Sequence, residues 1–104
     1  MEAPVEPGAT VSQANAERSA RQYLDYSAFS RSGLISQLEY EGFSAADAAY
    51  GVDAVDANWN EQAAASAQAY LDLTAFSRSS LIDQLVYEGF SAEEAEFGVN
   101  AVGL

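Results

Sequence analysis

Apolar residues recur every three or four positions along most of this chain, which is the period of a helix that buries one face. The first such stripe is formed by Ala16, Ala20, Tyr23 and Leu24. The alternation of apolar and polar residues that is typical of strands is missing, and β-branched residues are few. The pattern predicts an all-α protein in which one helix covers residues 15–26 and another with the same apolar stripe covers residues 61–73.

The same pattern occurs twice, at a constant spacing of 47 residues. Residues 16–57 align with residues 63–104 without a gap, and "YLD", "AFSRS" and "YEGFSA" stand in both copies. Self-similarity of this kind is evidence that one supersecondary unit was duplicated. We therefore predict two tandem three-helix repeats, over residues 15–57 and 58–104, the second including a linker. We predict that residues 1–14, which include both prolines, form a flexible tail before the repeats.

Serines and glycines predict where the helices of each repeat begin and end. The sequence "SAEE" at Ser91 satisfies a capping box, and "SAAD" at Ser44 is its weaker form. Gly42 and Gly89 stand where the second helices should end, with the following phenylalanine folding back on each. The second helices then begin after Ser30 and Ser77, and the predicted inner faces are Leu34, Ile35, Leu38, Ala48, Val52 and Val55 with their counterparts 47 residues later.

Three short helices with a glycine turn before the third form a helix-turn-helix-like module. One module of about 40 residues would be marginally stable alone, so we expect the two copies to pack together. Trp59, the lone tryptophan, lies in the joint "DANWNEQ". We expect it to fill the seam between the repeats, the alternative being a role in binding.

Charge narrows the class of partner. The chain has 16 acidic residues, four arginines, no lysine and no histidine, for a net charge of −12. Such a surface repels nucleic acid and anionic lipid headgroups and attracts basic partners. A DNA-reading module would carry basic residues on its third helix, whereas the arginines are Arg18, Arg21, Arg31 and Arg78. We therefore predict that nucleic acid is not a partner.

The repeats resemble a known family. The segments "FSRSGLISQLEYEGF" and "FSRSSLIDQLVYEGF" are similar to the repeat of the Ltp-type host-cell-surface-exposed lipoproteins, which include phage superinfection-exclusion proteins. The resemblance implies two tandem helix-turn-helix domains held outside a Gram-positive cell by a lipid anchor and a spacer, of which residues 1–14 would be the remnant. For a member of phage origin, the resemblance implies that the protein blocks DNA injection by a second phage through that phage's tape measure protein. The lipobox cysteine and the hydrophobic leader are missing here, so we expect this chain itself to be soluble and the anchor to belong to its parent protein.

One stretch partly matches a calcium loop. Asp56, Asn58 and Asn60 fit the first three ligand positions of an EF-hand. Glu61 and Ala67 stand where that loop requires a glycine and a bidentate glutamate. We interpret the stretch as a solvated linker and predict neither a metal nor a cofactor.

Catalysis has little support in the sequence. The chain lacks histidine, cysteine and lysine, and the pair Glu93 and Glu94 lies on a predicted solvent face. Arg31 and Arg78 recur at the start of the second helices. We expect each to bind a nearby carboxylate, the alternative being a catalytic arginine. No enzyme activity is predicted.

The third helices carry the candidate binding site. On a helical wheel, aromatic residues framed by acids lie opposite the predicted inner stripe, and such a face suits a basic, partly apolar protein segment. The alternative is that Tyr50 and Phe97 pack inside the molecule. The candidate partner-binding residues are Asp47, Tyr50, Asp53, Glu93, Glu94, Glu96 and Phe97.

Two functions remain open from the sequence. The first is a surface-displayed monomeric module that captures the tape measure protein of an incoming phage and so excludes it. The second is a structural or adhesion-type module of the bacterial envelope with no phage role.

Overall fold

The computed structural model describes residues 8–104, and within this range it contains six α-helices and no strand. The prediction of an all-α fold with two three-helix repeats is confirmed. The helices are α1 (Val11–Tyr26), α2 (Arg31–Tyr40), α3 (Ala45–Val55), α4 (Trp59–Leu73), α5 (Arg78–Tyr87) and α6 (Ala92–Ala101).

The first helix of each repeat starts earlier than its apolar stripe predicts. α1 begins at Val11 and not at residue 15, and Thr10 and Gln13 exchange hydrogen bonds at its start. Within the predicted tail, residues 1–7 lie outside the described range and residues 11–14 are helical. α4 begins at Trp59 because the side chain of Asn58 accepts a hydrogen bond from the backbone N–H of Glu61.

The chain divides into two compact units whose boundary does not coincide with that of the repeats. Unit 1 contains residues up to Tyr26 together with Leu34–Asp56, and unit 2 contains Ser27–Gly33 together with Ala57–Leu104. The segment Ser27–Gly33, which connects α1 to α2 in the sequence, thus packs as part of unit 2. This assignment could not be read from the repeat alignment.

Unit 1 is built on a close crossing of α1 and α3. A Cβ atom added at Gly51 would lie 2.5 Å from the carbonyl carbon of Ala16, so the two backbones meet without an intervening side chain. Small residues at the crossing let the helices approach, and leucines of α2 then close the core. The fully buried hydrophobic residues of unit 1 are Ala16, Ala20, Leu34, Leu38, Ala48 and Val52.

Unit 2 repeats this design with α4 and α6. A Cβ atom at Gly98 would lie 2.8 Å from the carbonyl carbon of Ala63, and the core below is closed by α5. Phe90 is 3% exposed and belongs to this core, whereas its counterpart Phe43 is only partly buried. The core of unit 2 consists of Ala63, Ala67, Leu81, Leu85, Phe90, Ala95 and Val99.

The predicted helix ends are confirmed by their hydrogen bonds. Gly42 has φ of 107°, and the N–H of Phe43 donates to the carbonyl of Leu38 at 3.1 Å, which closes a Schellman motif. Gly89 does the same in the second repeat, with φ of 106°. The Ser91 capping box is complete, whereas Ser44 accepts from the N–H of Asp47 without a reciprocal bond.

Trp59 is the first residue of α4 and is partly buried in unit 2. Its expected role between the repeats stays a prediction.

Candidate partner-binding site

In unit 1 the candidate site lies along α3, and part of it is already engaged. Asp47 is partly buried, and its carboxylate accepts a hydrogen bond from the Ser12 hydroxyl of α1 at 2.8 Å. Tyr50 is also partly buried, and both it and exposed Asp53 interact with other residues of the molecule. An incoming partner would therefore compete with internal contacts on this face.

In unit 2 the corresponding face of α6 is more open. Phe97 is 45% exposed, and Glu93 and Glu96 are exposed beside it. Glu94 differs from them because its carboxylate accepts the backbone N–H of Ser91 at 2.9 Å and so completes the cap of α6. Glu93 and Glu94, which stand in the first turn of α6, are favoured by the helix dipole. The aromatic side chain of α6, Phe97, is thus more accessible to a partner than that of α3, Tyr50.

Each unit also has a surface pocket that the sequence did not predict. The two pockets are built from equivalent positions, 47 residues apart. The pocket of unit 1, of about 310 Å³, is lined by Ser19, Gln22, Tyr23, Tyr26 and Glu41. The pocket of unit 2, of about 260 Å³, is lined by Ser66, Ala69, Tyr70, Leu73 and Glu88, with Ser27 and Ala28 as an additional wall.

A polar pair orients the tyrosine in both pockets. The side-chain amide of Gln37 donates to the hydroxyl oxygen of Tyr23 at 3.2 Å, and Gln84 donates to that of Tyr70 at the same distance. In unit 2 the ring of Tyr70 also meets Phe76 edge-on, with the centroids 5.6 Å apart. The signal that could have located these pockets is the recurrence of serine, tyrosine and glutamate at the fixed offset.

The pocket of unit 2 is partly desolvated. Burial raises the pKa of the Glu88 carboxyl above its ordinary value of 4.5, since a charged group loses hydration there. Glu41, which takes the equivalent place in unit 1, is exposed. The two pockets are therefore lined by equivalent positions but differ in their access to water.

The residues considered for metal binding serve structural roles. Asn58 caps α4, and Asp56 ends α3 in the left-handed conformation with φ of 56°. Within residues 8–104 no cluster of three or more acidic side chains is placed to hold a metal ion.

Arg78 is fixed within the molecule. Its guanidinium donates a hydrogen bond to the side-chain oxygen of Asn100 at 2.7 Å. The acceptor is therefore an amide and not the carboxylate that we expected. Arg31, the equivalent residue of the first repeat, also has an internal partner.

Neither α3 nor α6 contains a basic residue, and phosphate contacts would need clustered cations there. Among the helices of the described range, none is both long and apolar enough to span a membrane.

These features define an all-α protein of two tandem, acidic, helix-turn-helix-like repeats. The chain belongs to the family of host cell surface-exposed lipoproteins of the Ltp type, whose model matches residues 12–55 and 58–102. The resemblance noted in the sequence is thereby confirmed. No curated protein matches the chain in sequence.

A solved structure provides an independent comparison. Ltp, a superinfection exclusion protein from the Streptococcus thermophilus temperate phage TP-J34, is 28% identical to this chain. The structural match has a TM-score of 0.82 and covers 92% of this chain and 98% of that one.

Proposed function

We propose that this protein acts in phage superinfection exclusion as a binding module and not as an enzyme. The observation that carries the proposal is the structural match to a superinfection exclusion protein over 92% of the chain. The family consists of host cell surface-exposed lipoproteins, so the module acts on the outer side of the cell membrane, held by a lipid anchor of its parent protein.

The proposed mechanism is capture of a basic segment of an incoming phage's tape measure protein, which stalls DNA entry. The net charge of −12 attracts a basic partner. Phe97, exposed on the same helix as Glu93 and Glu96, offers an apolar contact on the acidic surface of α6. The face of α3 with Asp47, Tyr50 and Asp53 offers a second, less accessible contact. Two such faces on one chain raise avidity when both reach the partner.

The first test is a pull-down of phage tail proteins with the purified chain at increasing salt. We expect recovery of the tape measure protein and its loss as salt rises, because exposed charges are screened beyond about 8 Å at physiological ionic strength. Capture that does not depend on salt would contradict the electrostatic mechanism.

Charge reversal then tests the site itself. Glu93→Lys and Glu96→Lys should slow association, while Asp72→Lys, an exposed change of the same charge on α4, serves as the matched control. Glu94 belongs to the proposed site, but its reversal would also remove half of a capping box. That loss costs about 1 kcal/mol of stability, so it is tested separately.

A cellular assay separates the two functions that the sequence left open. Host cells that display the chain on a lipid anchor are challenged with phage, and adsorption and DNA injection are measured. Exclusion predicts normal adsorption with blocked injection. Unchanged injection would favour a structural or adhesion-type role in the envelope.

A further inference from the structure

The two equivalent pockets differ in their walls, because residues of Ser27–Gly33 border the pocket of unit 2 and not that of unit 1. The segment Ser27–Gly33 belongs to unit 2, and its first two residues, Ser27 and Ala28, form part of the pocket wall. The pocket of unit 1 has no corresponding wall among its lining residues. Tyr26 at its rim is 89% exposed.

The segment Ser27–Gly33 is held in unit 2 by a specific set of hydrogen bonds. The hydroxyl of Ser30 donates to the carbonyl of Glu88 at 2.6 Å, and the hydroxyl of Ser32 donates to that of Gly89 at 3.1 Å. The N–H of Phe29 donates to the side chain of Gln62 at 3.0 Å. Ser30 is 3% exposed and also caps its own helix by accepting the N–H of Gly33. The C-terminal carbonyls of one helix are thus satisfied by hydroxyls at the start of another.

Unit 1 presents the same acceptors. The turn after α2 has the geometry of the turn after α5, with φ of 107° at Gly42 against 106° at Gly89 and the same 3.1 Å closing bond. Glu41 and Gly42 are both exposed. A segment with hydroxyl groups at the spacing of Ser30 and Ser32 would therefore find carbonyls in the same arrangement.

The chain's own second "AFSRS" is poorly suited to fill this pocket in another copy. Ser80 replaces Gly33 there, and a Cβ atom at Gly33 would lie 2.8 Å from the Ser30 hydroxyl and 3.3 Å from the carbonyl of Glu88. The hydroxyl of Ser77 is already bonded to that of Ser80 at 2.9 Å. Two copies would also bring two chains of net charge −12 together.

We propose that unit 1 binds a short segment of a partner protein beside its pocket, in the manner in which unit 2 holds Ser27–Gly33. The segment has two hydroxyl residues flanking a basic one, as in Ser30-Arg31-Ser32, at the start of a helix. The hydroxyls donate to the carbonyls of Glu41 and Gly42, and the pocket formed by Ser19, Tyr23 and Tyr26 receives the residues that precede them. The basic residue is drawn by the negative field of the chain.

The binding mode rests on the internal segment alone, whereas its assignment to a phage tail protein rests on the proposed function. The probe is a capped peptide with the sequence of Ser27–Gly33, titrated into the isotope-labelled full chain and followed by NMR. We expect saturable shift changes at Ser19, Tyr23, Tyr26, Glu41 and Gly42. A peptide with alanine in place of both the Ser30 and the Ser32 equivalents should produce none.

Matched variants locate the binding surface. Tyr26→Ala, at an exposed position on the pocket rim, should lower the affinity for the peptide by about fivefold. Leu73→Ala changes the equivalent rim residue of unit 2, which is 81% exposed, and should leave binding unchanged. Changes confined to unit 2, or none at millimolar peptide, would overturn the proposal. Concentration-dependent self-association that Tyr26→Ala abolishes would also overturn it, because the occupant would then be a second copy.

The two proposals fail in different ways. If the tail protein binds and neither the peptide nor Tyr26→Ala has an effect, the pocket inference alone is wrong. If the peptide binds at unit 1 and no tail protein is captured, the pocket inference stands and the phage assignment is wrong.

Discussion

The two repeats keep the same helices and, apart from Phe43 and Phe90, the same core positions, yet the equivalent serines Ser30 and Ser77 have different environments. Ser30 is buried, caps α2 and donates to the carbonyl of Glu88. Ser77, its equivalent, caps α5 in an exposed box with Ser80. The same turn thus occurs in two environments. The turn at Ser30 packs against Glu88 within unit 2, and the turn at Ser77 is exposed.

The residue three positions after each serine allows this difference. Gly33 leaves room for Ser30 to reach Glu88, whereas Ser80 uses its own hydroxyl to complete the local cap. The side chain of one serine therefore decides between two arrangements. With glycine the turn packs against a carbonyl, and with serine it completes its own hydrogen bonds. Four predictions test how far the two repeats are equivalent, from the largest expected effect on stability to the smallest.

The largest effect is expected at the helix crossings. Gly51→Ala would place a methyl group 2.5 Å from the backbone of Ala16, and Gly98→Ala one 2.8 Å from that of Ala63. Overpacking against backbone should cost about 3 kcal/mol at Gly51 and less at Gly98, in spite of the better helix propensity of alanine. Urea unfolding followed by circular dichroism measures both. Wild-type stability in both variants would show that the crossings can relax.

The second prediction compares the two capping serines. Ser30→Ala should cost about 2 kcal/mol, because it removes a cap and leaves the Glu88 carbonyl without its buried donor. Ser77→Ala removes only an exposed cap and should cost about 1 kcal/mol. The same unfolding measurement applies, and equal losses would contradict the different roles assigned to the two residues.

The sequence predicted the fold well because the fold depends on local signals. Ser91 with Glu94, and Gly42 before Phe43, act within one helical turn, so their consequences can be read from neighbouring letters. The segment Ser27–Gly33 could not be placed in this way. Its bonds to Glu88 and Gly89 join residues 57 or 58 positions apart, and its sequence differs from that of residues 74–80 only at Ser27 and Gly33.

The candidate site was predictable to a lesser degree. The helical wheel places Tyr50 and Phe97 on the same outer face, since it treats the two repeats alike. The structure leaves Phe97 nearly half exposed and Tyr50 partly buried with an internal partner. The pockets could not be predicted from the local pattern because their walls combine residues that are distant in the sequence, such as Tyr23 with Glu41 and Tyr70 with Glu88.

The third prediction concerns pH and the glutamates of the two pockets. The pKa of Glu88 is raised by burial, so the folded protein holds this proton more tightly than the unfolded chain. The resulting stability is fully present below the unfolded pKa, near 4.5, and is lost as pH rises through the folded pKa. Glu88→Gln, which mimics the protonated carboxyl, should remove this loss and make the protein more stable at neutral pH.

Glu41→Gln is the matched control for that experiment. It makes the same change in net charge at the equivalent, exposed position, so any effect of global charge is common to both variants. Thermal unfolding from pH 4 to pH 8 should show a flatter profile for Glu88→Gln than for Glu41→Gln. Identical profiles would mean that local burial of Glu88 has no influence on stability.

The smallest effect on stability is expected at Phe97. With 45% of its surface exposed, Phe97→Ala should change the free energy of unfolding by about 0.5 kcal/mol, whereas Tyr50→Ala, at a partly buried residue with an internal partner, should cost more. For binding of the proposed tail protein the order should reverse, because an exposed aromatic on an acidic surface is available as an anchor without first giving up an internal contact. Unfolding and affinity measured on the same two variants separate these roles. If Phe97→Ala weakens binding no more than Tyr50→Ala does, accessibility of α6 does not decide which repeat contacts the partner first.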